Sequence, residues 1–196
     1  MVTIKFIDAS PDSYFESEPA MSKTRLSLAP FARRIAIRAT SHKRALATQQ
    51  RALLTQIADA VQRSPGAACR ALLAGPPGSG KSIAAQVLAR ELQRPLYRVD
   101  PASVVSKYIG ETEKNLNALF ASAKTINAIL FFDEADALFA KRTEVRDSHD
   151  RYSKAQISHV LNAVNHYNGL VLAAAREKRN LDTAFTRRLQ HVMEFT

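Results

Sequence analysis

The chain has 196 residues, of which 46% are hydrophobic and 23% are charged, as is ordinary for a globular protein. No stretch approaches the roughly 18 uninterrupted apolar residues of a membrane helix, and the N-terminus lacks a signal-peptide pattern, so we expect no membrane partner. Cys69 is the single cysteine, which excludes an internal disulfide and favours a reducing compartment, the cytoplasm.

The net charge of +10 is concentrated between residues 21 and 70, which hold ten basic residues and one acidic residue, Asp59. We favour a solvated basic face there, and contact with nucleic acid, an acidic partner or a membrane surface is the alternative. This segment contains Phe31 but no array of aromatic side chains on which bases could stack, which weakens the nucleic-acid alternative.

The N-terminal third is predicted to be irregular first and helical later. Residues 1–41 are rich in proline, acidic and then basic side chains, and are predicted to be a poorly ordered lead. Residues 42–63 place apolar side chains at helical spacing, and Ser64-Pro65-Gly66 ends that pattern, so a helix and linker are predicted over 42–67. The ordered part of the segment before residue 68 is therefore expected to be basic and mostly helical.

Strands and helices are predicted to alternate from residue 68 to residue 196. Short apolar runs predict strands at 71–74, 96–99, 128–132, 170–175 and 191–195. Apolar residues at helical spacing fill the intervals, as at Leu116, Leu119, Phe120 and Ala123, while the charged residues 143–152 are predicted to be a loop. This alternation predicts an α/β domain built around a parallel sheet.

Residues 75–82 read GPPGSGKS and fit the phosphate-loop pattern G-x-x-x-x-G-K-[ST] between a predicted strand and a predicted helix. Such a turn aims backbone N–H groups at one point, at the positive end of a helix dipole. Lys81 can reach the β- and γ-phosphates of a nucleotide, and the Ser82 hydroxyl can ligate Mg²⁺. The predicted phosphate-binding residues are Gly75, Pro76, Pro77, Gly78, Ser79, Gly80, Lys81 and Ser82.

Asp133 and Glu134 follow directly on the apolar run 128–132. Ligands bind at the carboxyl ends of strands in open α/β sheets, so these carboxylates are predicted to face the phosphate loop. Asp133 can hold Mg²⁺ and its waters opposite Ser82, and Glu134 can act as the general base for a water that attacks the γ-phosphate of ATP. A merely structural pair of carboxylates is the alternative.

Four blocks together resemble the AAA family of ATPases. Residues 75–82, 107–116, 130–142 and 181–189 read GPPGSGKS, KYIGETEKNL, LFFDEADALFAKR and LDTAFTRRL, in the order and spacing of that family. The resemblance covers about residues 68–196. It implies a P-loop NTPase three-layer sandwich, ATP and Mg²⁺ as ligands, and a ring, usually a hexamer, that remodels or unfolds protein substrates.

The resemblance also implies roles for two groups of residues outside the nucleotide site. Tyr108, Ile109 and Gly110 match the pore loop that grips a polypeptide in the ring's channel, with local packing of Tyr108 as the alternative. Arg187 and Arg188 match the arginine fingers that reach a neighbouring subunit's phosphate, with a basic rim pair as the alternative.

The chain departs from the family pattern at two points. The family's Thr-Asn pair at the end of the strand 170–175 is replaced by Ala175 and Arg176, which cannot orient a water as an amide does. Asn180 lies four residues after the position of the family's Asn, too far to be assumed as a substitute for it. The family's helical lid does not follow Thr196, and a fragment, a truncated gene product and a partner completed by another chain are the alternatives. Without a lid, both nucleotide affinity and ring assembly are expected to be weak. We therefore keep two hypotheses, an ATPase and a regulatory or assembly subunit that binds ATP but hydrolyses it poorly.

Overall fold

The computed structural model describes residue 28 and residues 31–37, 46–106, 108, 110–139 and 154–196. These residues form one six-stranded sheet with the strand order β1-β3-β4-β5-β2-β6. The strands are β1 (Ala32–Ile35), β2 (Cys69–Ala74), β3 (Leu96–Val99), β4 (Ile129–Phe132), β5 (Leu170–Ala175) and β6 (His191–Glu194). The helices are α1 (Thr48–Arg63), α2 (Lys81–Glu91), α3 (Pro101–Val104), α4 (Glu111–Thr125), α5 (Ala135–Phe139), α6 (Lys154–His166) and α7 (Thr183–Thr186).

The predicted α/β sandwich with a mostly parallel sheet is confirmed. Strands β2 to β6 pair in parallel, and only β1 runs antiparallel to its neighbour among the strands described. The central strands β2, β4 and β5 are buried along their whole length, as expected of parallel strands covered on both faces. The predicted strand bounds hold to within two residues.

Alternate side chains of each central strand enter two separate hydrophobic cores. Leu72 of β2 belongs to the core beneath α4 and α6, whereas Leu73 belongs to the core beneath α1 and α2. The predicted stripe of α4 faces inward, with Leu116, Leu119 and Ala123 buried and Phe120 partly buried. The sheet is therefore the middle of three layers.

One part of the N-terminal lead is ordered, which corrects the prediction for residues 32–35. Strand β1 pairs with β3 in the register Ala32 to Val99 and Ile35 to Leu96. Ala32 is buried, and Ile35 packs against the core beneath α1 and α2. The strand is stabilised by contacts with residues about sixty positions away, which local sequence does not reveal.

Helix α1 begins at Thr48, later than the predicted residue 42. Ala47 has extended backbone angles, and its N–H donates to Oε1 of Gln50 at 3.0 Å. This bond is one of the two that form a capping box, and the other is missing because alanine has no side-chain oxygen. Leu54 and Ile57 are buried among the residues of α2 and the sheet. Strand β1 and helix α1 thus share the hydrophobic cores of residues 68–196.

Several predictions lie outside the described residues. These are the order of residues 1–27, the start of the predicted helix at residues 42–45 and the loop at 143–152. Within the described part of the chain, no helix is both long enough and apolar enough to cross a membrane.

Arg70 lies on the central strand β2 with only 4% of its surface exposed. Its Nη2 donates to the carbonyl oxygens of Val164 at 2.8 Å and Asn165 at 2.6 Å, and its Nε donates to Val164 at 3.1 Å. These carbonyls belong to the last turn of α6, where a positive charge is favourable. Burial, together with the charge of Arg188, lowers the pKa of Arg70. Arg70 therefore fastens α6 to the sheet.

Replacing Arg70 by methionine is expected to lower the free energy of unfolding by about 2 kcal/mol, because the carbonyls at the end of α6 lose charged donors. Urea unfolding measures this loss. Arg63→Met is the matched control: Arg63 is exposed, makes one 3.2 Å bond to the Asp59 carbonyl, and should cost less than about 0.5 kcal/mol. Equal losses in the two variants would contradict a structural role for Arg70.

Candidate functional site

The loop after β2 is held from both sides by neighbouring strands. The Gly75 N–H donates to the Ala175 carbonyl at 3.0 Å, and the Phe195 N–H donates to the Ala74 carbonyl at 2.7 Å. A Cβ on Gly75 would lie only 2.5 Å from the Phe195 carbonyl oxygen, so a larger residue would displace the loop or β6. The close approach explains why glycine is needed at this position.

Helix α2 begins at the end of this loop with its first turn directed into a cleft. Gly80 precedes the helix in a left-handed conformation with φ of 99°, and no described side chain caps the helix. The Ser79 hydroxyl is buried, and no hydrogen-bond partner for it is found in the described part of the chain. Uncapped N–H groups and an unsatisfied hydroxyl together fit an anion such as a phosphate.

Lys81 points its ammonium group back at the loop. Its Nζ donates to the carbonyl oxygens of Gly75 at 2.5 Å and Pro76 at 2.7 Å. Burial lowers the pKa of Lys81, while the charges of Asp133 and Asp136 act in the opposite direction. The ammonium thus sits beside the loop, where it can exchange a carbonyl partner for a phosphate oxygen.

Asp133 and Glu134 lie in the same cleft, where β4 ends. Oδ1 of Asp133 accepts from the Glu134 N–H at 3.2 Å, and Oδ2 is 3.1 Å from Nη2 of Arg98. Glu134 is exposed and has a φ of 58°, a left-handed conformation that is strained for a non-glycine residue. Such strain is concentrated at functional sites, which agrees with the predicted role of Glu134.

Asp136 and Arg98 are residues of this region that the sequence did not predict, and Asn180 is one that was considered but not assigned to the site. Oδ2 of Asp136 accepts from the Arg176 N–H at 2.8 Å, and so fixes the backbone just after β5. A 3-10 turn at Lys178–Asn180 brings Asn180 to the cleft wall, although it lies four residues beyond the expected amide position. Asp136 could have been recognised as the third acidic residue after β4, whereas local sequence carries no signal for Asn180.

The cleft has a volume of about 720 Å³, and its walls come from the phosphate loop, the ends of β4 and β5, and the 3-10 turn. It is lined by Pro77, Gly78, Gly80, Lys81, Ser82, Ile83, Asp133, Glu134, Asp136, Ala174, Ala175, Arg176 and Asn180. Gly75, Pro76 and Pro77 line a neighbouring cleft of about 890 Å³, whose other walls include residues 176–179 and 194–196. Of these two clefts, the smaller one contains the predicted site residues Lys81, Ser82, Asp133 and Glu134.

Arg187 and Arg188 are exposed and line neither of these clefts. They follow helix α7, which is fixed to α5 by stacking of Phe185 on Phe139, with ring centroids 4.4 Å apart, and by a bond from the Asp182 N–H to the Phe139 carbonyl. Helix α5 begins directly after Glu134. The arginine pair is therefore linked to the carboxylates through the contacts of α7 with α5, but neither arginine lines their cleft.

Tyr108 is 73% exposed, which does not favour the alternative that its side chain packs locally. Its N–H donates to the Ser106 hydroxyl at 3.2 Å, and Gly110 precedes helix α4 in a left-handed conformation with φ of 79°. Ile109, the third predicted pore residue, lies outside the described residues. The roles of all three stay predictions.

The donor set of the cleft fits a nucleotide with a hard divalent cation. A hydroxyl from Ser82 and a carboxylate from Asp133 are oxygen ligands of the kind Mg²⁺ takes, with phosphate oxygens and water completing its shell. The described residues contain no group of three or more His, Cys, Asp or Glu side chains that could hold a metal alone. A cation here would thus depend on the phosphates as co-ligands.

The comparisons with known proteins agree with this geometry. Residues 71–196 match the family described as ATPase family associated with various cellular activities (AAA). The chain is 38% identical to the AAA family ATPase y4kL of Sinorhizobium fredii over 125 residues, which are 63% of this chain and 38% of that protein. It is 36% identical to Vacuolar protein sorting-associated protein 4 of Dictyostelium discoideum over 61% of this chain and 28% of that one.

Spastin of Homo sapiens is also 36% identical, over 60% of this chain and 20% of its own length. The matched part of this chain thus spans well under half the length of these relatives. A solved chain from the E. coli MS115-1 HORMA:CdnC:Trip13 complex shares the fold, with a TM-score of 0.63 and 19% identity over 85% of this chain and 69% of that one. The family match covers well over half of the sequence, and the chain belongs to the AAA family of ATPases.

Proposed function

We propose that this protein binds Mg-ATP in the cleft at the phosphate loop and hydrolyses it to ADP and phosphate. The observation that carries the proposal is the convergence of Lys81, Ser82, Asp133 and Glu134 in one cleft, although the two pairs lie about fifty residues apart in the sequence. Family membership supports ATP-dependent activity in general.

Each residue has a separate task in the proposed reaction. The backbone N–H groups at the start of α2 and the Lys81 ammonium hold the β- and γ-phosphates. Glu134 accepts the proton of a water whose oxygen bonds to the γ-phosphorus, and the bond from that phosphorus to the ADP oxygen breaks. Mg²⁺, held by Ser82 and Asp133, would neutralise charge on the β- and γ-phosphate oxygens.

Binding without efficient hydrolysis is the second candidate function. Ala175 lacks a polar side chain, and Arg176 can donate but not accept hydrogen bonds, so neither replaces the family's Thr-Asn pair. Asn180 favours hydrolysis, since its amide lies in the cleft wall and can both donate and accept. Steady-state ATPase measurements on the wild type separate the two candidates.

We further propose that the energy of hydrolysis remodels a protein substrate in an oligomer of this chain, on the pattern of a hexameric ring. The exposure of Tyr108 supports contact with a polypeptide, and the exposure of Arg187 and Arg188 supports contact with a neighbouring subunit. The name of one relative, Vacuolar protein sorting-associated protein 4, associates that relative with protein sorting. The exposed Arg33 and Arg34 of β1 leave nucleic acid as the weaker alternative.

The cytoplasm is the proposed location. Cys69 is a free and buried thiol, and burial raises its pKa, so it is a packing residue suited to a reducing compartment.

Wild-type ATPase activity is expected to rise faster than linearly with protein concentration, because an arginine finger acts only in a neighbouring subunit. Added protein with Arg187→Ala and Arg188→Ala should lower wild-type activity below the value for simple dilution. Activity measured over a concentration series, with particle mass measured with and without Mg-ATP, provides the test.

An Arg63→Ala variant is the control for the mixing experiment, since it removes an exposed arginine from α1, away from α7. When it replaces part of the wild type at constant total protein concentration, the total ATPase activity should be unchanged. Strictly linear activity that the double variant does not alter would show that each chain works alone, and the two arginines would then be a surface pair.

A further inference from the structure

Arg98 places a guanidinium group beside the carboxylate that is proposed to hold Mg²⁺. It lies on β3, opposite Phe131 of the parallel neighbour β4, and Asp133 comes just after the end of β4. Nη2 of Arg98 is 3.1 Å from Oδ2 of Asp133, with side chains 45% and 23% exposed, respectively. Asp133 lines the cleft, and Arg98 contacts it from the neighbouring strand with a partly exposed side chain.

Both oxygens of Asp133 have partners within the chain. Oδ1 accepts from the Glu134 N–H, and Oδ2 faces Arg98. The Lys81 ammonium also interacts electrostatically with Asp133, but its hydrogen bonds go to carbonyls of the loop. Asp133 thus already has a cationic partner from its own chain at Oδ2, and a divalent cation that bound at this oxygen would have to displace the guanidinium.

The surroundings of Arg98 argue against a purely structural ion pair. Arg33 of β1 stands directly opposite Arg98 in the antiparallel ladder, and like charges at such positions repel. An ion pair this exposed also contributes little to stability. The pair is therefore better explained by the position of Asp133 in the cleft than by the requirements of the fold.

We propose that Arg98 is a positioning residue that exchanges with Mg²⁺ at Asp133. Arg98 holds the carboxylate in place and competes with the cation, and it leaves Oδ2 when Mg²⁺ arrives together with the nucleotide phosphates. The inference rests on the proposed function of the cleft. Its consequence is that Mg²⁺ binds only weakly unless phosphate oxygens compensate for displacing the guanidinium.

The test is the Mg²⁺ dependence with which the protein binds a fluorescent, non-hydrolysable ATP analogue. In Arg98→Met the Mg²⁺ concentration for half-maximal binding should fall about twofold to fivefold. This range corresponds to the free energy with which an exposed ion pair is usually held. Arg98→Lys, which keeps the charge, should shift it less. Arg33→Met is the matched control, because it removes the arginine that faces Arg98 but leaves the Arg98–Asp133 pair in place. Its Mg²⁺ concentration for half-maximal binding should equal that of the wild type.

The outcomes separate the exchange from the proposed function. Failure of the wild type to bind the analogue would refute the proposed function. Normal binding with an unshifted Mg²⁺ midpoint in Arg98→Met, or an equal shift in Arg33→Met, would refute the exchange alone.

A second measurement needs no nucleotide. The change in urea midpoint caused by Arg98→Met should be slightly more destabilising in the wild type than in Asp133→Asn, because the carboxylate that pairs with Arg98 is gone in the latter, whereas the repulsion from Arg33 is relieved in both. Additive shifts in this double-mutant cycle would overturn the inferred coupling of Arg98 to Asp133.

Discussion

Lys81→Ala is expected to abolish ATP binding, with affinity falling about 100-fold or more. The ammonium lies at the phosphate loop, 2.5 Å and 2.7 Å from two loop carbonyls, and its charge-assisted bonds to phosphate oxygens would each be worth about 1.5–3 kcal/mol. Alanine can make none of these bonds, although the backbone N–H groups at the start of α2 remain. Titration with a fluorescent ATP analogue measures the affinity.

Lys124→Ala is the matched control, since Lys124 is an exposed lysine in the last turn of α4 and lines neither of the two described clefts. Its affinity for the analogue should equal that of the wild type. Unchanged affinity in Lys81→Ala would mean that the nucleotide binds elsewhere on the protein. Circular dichroism of both variants checks that the fold is kept.

Glu134→Gln is expected to keep Mg-ATP binding and to lower turnover at least about 100-fold, the usual scale for losing a positioned general base. Glutamine has nearly the same shape as glutamate, but its amide cannot take a proton from water. Steady-state phosphate release and nucleotide titration on the same preparation measure the two effects separately.

Glu177→Gln removes a carboxylate that is paired with Arg179 and does not line the phosphate-loop cleft, so turnover should be unchanged. Equal turnover in Glu134→Gln and the wild type would exclude Glu134 as the base. A wild type without turnover above background would instead favour the function of a binding subunit. In that case, Ala175→Thr combined with Arg176→Asn should restore some activity.

The fold could be predicted where local patterns and burial agree. The apolar runs of β4 and β5 are short and continuous because helices cover both faces of the sheet, and the sequence shows this directly. Strand β1 could not be predicted in this way. Its stability comes from pairing with β3, and its two arginines break the apolar pattern of a buried strand.

The candidate site could be predicted where a motif fixes both residue type and spacing. Lys81 and Ser82 follow from the phosphate loop, and Asp133 and Glu134 from the strand that precedes them. Arg98 and Asn180 reach the site through the neighbouring strand β3 and through a 3-10 turn, respectively. Their positions depend on tertiary structure, which spacing along the sequence does not encode.

The sheet order also determines when the phosphate loop can acquire its shape during folding. Strand β2 stands between β5 and β6, and its residue Cys69 pairs with Leu170, about a hundred positions later in the chain. Pairing between residues so far apart closes a long loop, and the entropy cost of that closure must be met before the contacts stabilise the fold. A nascent chain that lacks β5 and β6 has a complete GPPGSGKS sequence but neither of the strand contacts that hold Gly75. Nucleotide affinity is therefore expected to arise only after β5 and β6 have been synthesised and have paired with β2.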